Sequence, residues 1–351
     1  GYGQGDLFNW HFFNRAGGIP SMYNDLVYLI SPRSAHTGSA QLTMAEFNDP
    51  YLDGQWTDGA NTPTFKYELI YYPTTTTGGP EGLKVPQPDD VLPVSIGQIG
   101  TGSGITYPPA STPDKEPYRW NFLIGNARNA DDYSNLINLN TVFRQTGATY
   151  LANLPKVIDV DQWLRSFAAL SLAGIGDHYS SAGGGWHNLK LYQRADGRIL
   201  MLPWDHDFLS EAPDAALVRA FYGHLLDIIG RSFNPAYIAP WADRYESYTT
   251  TGGNWDDITN YVAARRTFAL SAAATQYPAV TFAIITNGGA NFATANAQAT
   301  LAGTAGVNVR TLRVQGNPTP LAITWTTRTA WQISLPVAPG PNAYVIEALD
   351  F

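Results

Sequence analysis

The stretch "NLKLYQRADGRILMLPWDHDF", residues 188–208, sets two apolar runs either side of Ala195-Asp196-Gly197-Arg198 and ends in two aspartates. An Asp-Gly step between hydrophobic runs predicts a β-hairpin. Side chains two apart on a strand share a side, so Asp205 and Asp207 would face one direction with His206 turned away. The hairpin returns the chain toward Asn188, which would add a neutral oxygen to the two carboxylates. Oxygen ligands of this kind suit Mg²⁺, Mn²⁺ or Ca²⁺. Three readings stay open at this point: a divalent metal for catalysis, a structural calcium ion, and a solvated turn. Upstream, a helix ends at Gly174/Gly176 and Asp177 follows it, then a small-residue loop over 180–185 leads to His187. His178 and His187 beside the aspartates offer a hydrolase alternative, but no His-x-x-x-His or His-Glu-x-x-His spacing accompanies them.

Composition narrows the partners. The 351-residue chain has 21 Lys and Arg against 29 Asp and Glu, a net charge of −8 and a pI near 5.2. That balance argues against nucleic acid or an anionic membrane, since both attract basic surfaces. No apolar run approaches the roughly eighteen residues that span a bilayer. With no cysteine, disulfides, thiolate zinc sites and cysteine nucleophiles are all excluded. Charged residues make up only 14%, five of them lysines, while Gly, Asn and Thr are plentiful, which suits a protein exported by a bacterium. The expected location is extracellular or at the cell surface. Both ends look cut, so a longer parent chain is expected.

Working outward from the hairpin, "DVDQWLRSFAALSLAGIG" (159–176) has the period of a mostly buried helix, and "ADDYSNLINLNTVFRQTG" (130–147) predicts another, with Asp131 or Asp132 near its start. "TFKYELIYY" (64–72) reads as a strand, and "DLVYLIS" with "AQLTMAEF" as a hairpin turning between Pro32 and Gly38. The first twenty residues read as an aromatic-rich helix stopped by Gly17-Gly18 and Pro20. Residues 73–117 read as a long loop; "GTGSGITYPP" within it lacks the strand, helix and lysine of a phosphate loop. Residues 213–272 are mainly helical. After Tyr277-Pro278, short strands divided by Gly, Pro and Asn follow one another, the pattern of a small β-sandwich. The expected fold class is α+β: a mixed domain over 1–272 and a small Ig-like all-β sandwich over 273–351.

An Asp, then an Asn, then an Asp after a hairpin is also the order of catalytic groups in kinases. "GDHYSSAGGGWHNLKLYQRADGRILMLPWDHDF" resembles the signature of the CotH-type spore-coat protein kinases, a secreted atypical kinase family. "FFNRAGGIPSMYNDLVYLI", "AQLTMAEFNDPYL", "TFKYE" and the helices up to about residue 272 fall in that family's order. The resemblance implies ATP with Mg²⁺ or Mn²⁺, and phosphoryl transfer to Ser/Thr of partner proteins. It implies Asp177 as the catalytic-loop aspartate, and Asn188, Asp205 and Asp207 as metal ligands. Lys66 becomes a candidate phosphate contact and Glu46 its partner. Two features depart from the family: no "R-G-N-S-S … K-K-S-Y" strand segment occurs, and the loop between Asp177 and Asn188 is long. The competing expectation is a non-catalytic surface or filament protein that keeps the scaffold, binds neighbouring surface proteins and uses the aspartates for an ion such as Ca²⁺.

Overall fold

Asp196 and Gly197 do turn the chain back on itself. In the computed structural model β5 (Leu189–Gln193) and β6 (Ile199–Leu202) form an antiparallel hairpin, Gly197 at its tip with φ +83°. The structure describes residues 2–34, 37–67, 115, 118, 122–175, 189–203, 215–249 and 255–351. Within them the protein is α+β, and the chain divides into two compact units, 1–210 with 246–253, and 211–245 with 254–351.

The first unit is built on an antiparallel sheet in the order β4-β3-β5-β6, with β3 at Thr64–Tyr67 and β4 at Phe122–Ile124. Every residue of β5 and β6 is buried under neighbouring elements. One cover is the helix Val160–Ala173, capped by Asp159, whose side chain accepts from Gln162 N–H. From this helix Gln162 reaches the edge strand β6. Its amide accepts from Met201 N–H at 3.0 Å and donates to Met201 C=O at 2.7 Å, while the Trp163 indole donates to Ile199 C=O at 2.9 Å. A side-chain amide thereby replaces the missing neighbouring strand and blunts the edge.

The other helices of this unit are α1 (Tyr2–Ala16), α2 (Asp49–Gln55), α3 (Ser134–Phe143) and α4 (Gly147–Val157), which makes the Val160–Ala173 helix α5. As expected, α1 stops at Gly17-Gly18, both at positive φ. Its Phe12 and Phe13 are fully buried. The expected hairpin forms from β1 (Asn24–Leu29) and β2 (Gly38–Met44).

The second unit carries α6 (Ala215–Arg231), α7 (Pro235–Glu246) and α8 (Trp255–Gln276) together with the C-terminal strands. These strands form two antiparallel sheets. One has the order β10-β11-β8-β7 (Thr324–Trp325, Ala330–Pro336, Gln298–Thr304, Ala283–Ile284). The other pairs β12 (Ile346–Asp350) with β9 (Val309–Val314). Both sheets feed one core around Leu312, Trp331, Ile333 and Leu335.

The sequence texture changes at 273–278, where helix gives way to strand, but the compact units divide elsewhere. The reason is Arg219 of α6. It is 2% exposed, stacks on the Trp325 ring at 3.4 Å, and donates to the carbonyls of Gly306, Val309, Ala305 and Arg328. Phe351 also lies against α6, edge-on to His224 and over Gly223, where a Cβ would sit 2.0 Å from the ring. The C-terminal strands are therefore packed with a helix that precedes the change in sequence texture.

Candidate functional site

On the sheet face that carries Lys190 and Tyr192, the two ends of β5 have different surroundings. At one end Tyr192 is buried, stacks on Trp56 at 4.4 Å and donates to Gly59 C=O at 3.0 Å; burial pushes its hydroxyl above the ordinary tyrosine range. At the other end the face opens into a cleft of about 680 Å³, within the range of small-molecule sites. Lys66, Lys190, Arg128, Glu46, Asp49 and Asn126 are among its lining residues.

Two turns shape the cleft. Gly125 follows β4, its N–H donating to Thr64 C=O at 2.7 Å; a Cβ there would be 2.2 Å from the Thr64 hydroxyl, so glycine is required by close approach. The Thr64 hydroxyl donates to the Asn126 side-chain oxygen at 2.8 Å, and the Asn126 amide donates to Asp49. The Arg128 Nε donates to Gly125 C=O at 2.8 Å. On the facing wall, Asn48 caps α2 by accepting from Tyr51 N–H at 3.2 Å. This fixes Glu46 and Phe47 just ahead of the helix.

Lys190 is 9% exposed, an unusual burial for lysine, which is almost never fully buried without a partner. Its Nζ lies 3.4 Å from Glu46 Oε2 and 5.1 Å from the centre of the Phe47 ring. The antiparallel register of β3 and β5 sets Lys66 directly opposite Lys190. Residues opposed in this way share a face, about 4.5–5.5 Å apart.

The sequence candidates Lys66 and Glu46 thus line one cleft, and the lysine seen on Glu46 is Lys190. Sequence reading missed Lys190. Its signal was a lone lysine between Leu189 and Leu191 in a strand expected to be buried. Asp177, Asn188, Asp205 and Asp207 lie outside the described residues. Among the described residues no group of three or more His, Asp or Glu is gathered as a metal site.

Residues 109–217 match the family described as CotH kinase protein. Over these residues the chain is similar to that family. The segment runs from ahead of β4 through α3, α4, α5 and the β5–β6 hairpin to the start of α6, just under a third of the sequence. Asp177, Asn188, Asp205 and Asp207 all fall inside the CotH match, as does Lys190, whereas Lys66 and Glu46 precede it. No curated protein and no solved structure matches the chain.

Among the described residues, two lysines and one arginine line the cleft with two carboxylates, Asp49 engaged by Asn126 and Glu46 by Lys190. No helix of the described residues is long and apolar enough to cross a membrane.

Proposed function

We propose that the CotH-type segment is an ATP-dependent protein kinase that transfers the γ-phosphoryl group to Ser or Thr hydroxyls of partner proteins outside the cell. The supporting observation is positional. The segment carries Asp177, Asn188, Asp205 and Asp207 in kinase order, and the strand that begins next to Asn188 places Lys190 on Glu46 inside a cleft that Lys66 and Arg128 also line. The lysines of the cleft would contact phosphate oxygens. Asp177 would orient the acceptor hydroxyl and take up its proton. Asn188, Asp205 and Asp207 would hold Mg²⁺ or Mn²⁺, and a bound ion of this kind neutralises charge on the transferring phosphates.

Phosphoryl transfer depends mainly on positioning and charge stabilisation, so removal of one metal carboxylate should reduce turnover by at least about a hundredfold. The test is transfer of radiolabelled γ-phosphate from ATP to a generic Ser/Thr acceptor protein, or to the chain itself. Wild type should label the acceptor only with Mg²⁺ or Mn²⁺ present, and Asp177→Asn and Asp207→Asn should not. Transfer that is absent from wild type, or equal in the two variants, sinks the proposal in favour of a non-catalytic surface scaffold.

A further inference from the structure

The two walls of the cleft come from places far apart in sequence: residues 46–50, which lead into the first turn of α2, and residues 123–128, at the end of β4 and in the turn after it. The far end of α2 is fixed by packing. Leu52 is fully buried, Trp56 stacks on Tyr192 of β5 at 4.4 Å, and Gly59 C=O accepts from the Tyr192 hydroxyl at 3.0 Å. At the cleft end two polar bridges lead across to the strands. Glu46 meets Lys190, and Asp49 meets the side-chain amide of Asn126.

Thr64 orients that amide. Thr64 is buried; its hydroxyl accepts from Asn126 N–H at 3.3 Å and gives its one proton to the Asn126 side-chain oxygen at 2.8 Å. The amide NH2 is thereby turned toward Asp49, to which it donates. Gly125 permits the approach, since a Cβ there would stand 2.2 Å from the Thr64 hydroxyl oxygen. Ala127 follows in the left-handed region, at φ 51°. A residue with a side chain is strained there, and such strain persists where the surroundings over-determine the backbone. Asn126 thus stands on a costly turn with the two halves of its amide committed to different elements. An aspartate in its place would lack the donor, and a leucine would lack both groups.

We propose that Asn126 is a latch between the two walls of the cleft, its amide tying the first turn of α2 to β3 and so setting the separation at which Glu46 and Phe47 face the strands. Asn126 is then a positioning residue for the site, a role that rests on the phosphotransfer reading above for what the cleft receives. Its bond to Asp49 is charge-assisted but exposed, so it orders the wall and still breaks and re-forms as a ligand enters or leaves.

The experiment exchanges the polarity of the bond. Asn126→Asp removes the donor and sets two carboxylates face to face. Asn126→Asp combined with Asp49→Asn puts the donor on α2 and the acceptor on the turn, at the net charge of wild type. Amide hydrogen exchange of the full chain, read by peptide mass, follows the wall without any ligand. Exchange over residues 46–53 should quicken at least about tenfold in Asn126→Asp, the worth of one charge-assisted hydrogen bond, and return to within about threefold of wild type in the double variant. Exchange over β5 should stay as in wild type. Asn126→Ala, which leaves α2 and its charges untouched, should quicken the same segment and decides the matter where Asn126→Asp fails to fold. Exchange over 46–53 that is equal in wild type and Asn126→Ala, or an Asn126→Asp effect that the double variant does not reverse, overturns the latch. In phosphoryl transfer from ATP, Asn126→Asp should raise KM about tenfold with kcat within about threefold of wild type, because ordering of the walls before binding is lost, and the double variant should recover it. No transfer by wild type, with exchange behaving as stated, overturns the proposed function and leaves the latch standing. Transfer with exchange and KM both unmoved by Asn126→Asp overturns the latch alone.

Discussion

Lys190 and Arg219 are both cations removed from water, one in each unit, and the fold treats them in opposite ways. Arg219 is 2% exposed and donates to four backbone carbonyls with its plane on Trp325. A guanidinium used this way is a cross-link between a helix and the C-terminal strand-rich region, and its planar fork suits that task better than an ammonium. Lys190 is 9% exposed, meets a solvent-facing carboxylate, and stands opposite a second lysine on the wall of a cleft. The first arrangement consumes the charge internally. The second sets two ammoniums opposite each other on the wall of a cleft. Burial of a cation therefore says little about its role until the partners are named.

The sharpest way to break the comparison is to remove each charge in turn. Arg219→Met should lower the unfolding free energy by about 3 kcal/mol or more, because several buried carbonyls lose their donor together. Arg219→Lys should recover little, as a point donor cannot reach all four acceptors. Urea denaturation followed by tryptophan fluorescence reads both, and a loss below about 1 kcal/mol would reduce Arg219 to an incidental contact.

A second test separates buried bases by pH. Burial first, and the Arg15 charge second, push the His11 pKa down to about 4, whereas burial lowers Arg219 only to about 10. His11 is therefore neutral in the fold where the unfolded chain, with a value near 6.5, begins to take up a proton. Its contribution is complete above about pH 6.5 and is lost as pH falls toward 4, by about 2 kcal/mol after allowing for solvent screening. Arg219 keeps its proton across this window. His11→Phe should flatten the acid slope of stability between pH 6.5 and 4, and an unchanged slope would contradict the assignment.

Smaller effects belong to Lys190 and to the surface. Lys190→Met should change stability by less than about 1 kcal/mol, because Glu46 is left solvated and one repulsion with Lys66 disappears. A loss as large as that of Arg219→Met would mean Lys190 is structural. Arg231→Ala, which breaks an exposed i,i+4 pair with Asp227 on α6, should cost about 0.3–0.5 kcal/mol through that pair. Thermal unfolding at low and high salt checks it, since the pair's share should fade with salt.

What the sequence revealed follows from how local each signal was. Asp196-Gly197 fixed the β5–β6 hairpin, Gly17-Gly18 ended α1, and a 3.6-residue apolar pattern announced α5. Three elements escaped notice for physical reasons. The helix α4 starts on a positive-φ Gly147 and carries Pro155, so its pattern looks broken; α2 is seven residues long with Pro50 in its first turn; β4 is three residues. Of the short strands expected after Tyr277-Pro278, the first, "AVTFAIIT" (279–286), pairs only at Ala283–Ile284, and Asn287 and Gly288 at positive φ turn the chain beyond it. The opposition of Lys66 and Lys190 could not be read at all. It depends on the register of strands more than a hundred residues apart, which no local pattern encodes.

The most direct measurement of the central claim is binding of ATP to wild type and to Asp207→Asn, titrated with and without Mn²⁺. The account predicts metal-dependent binding to wild type that weakens at least about tenfold in the variant. Wild type that binds no ATP, or binds it equally well without metal and in Asp207→Asn, would contradict it.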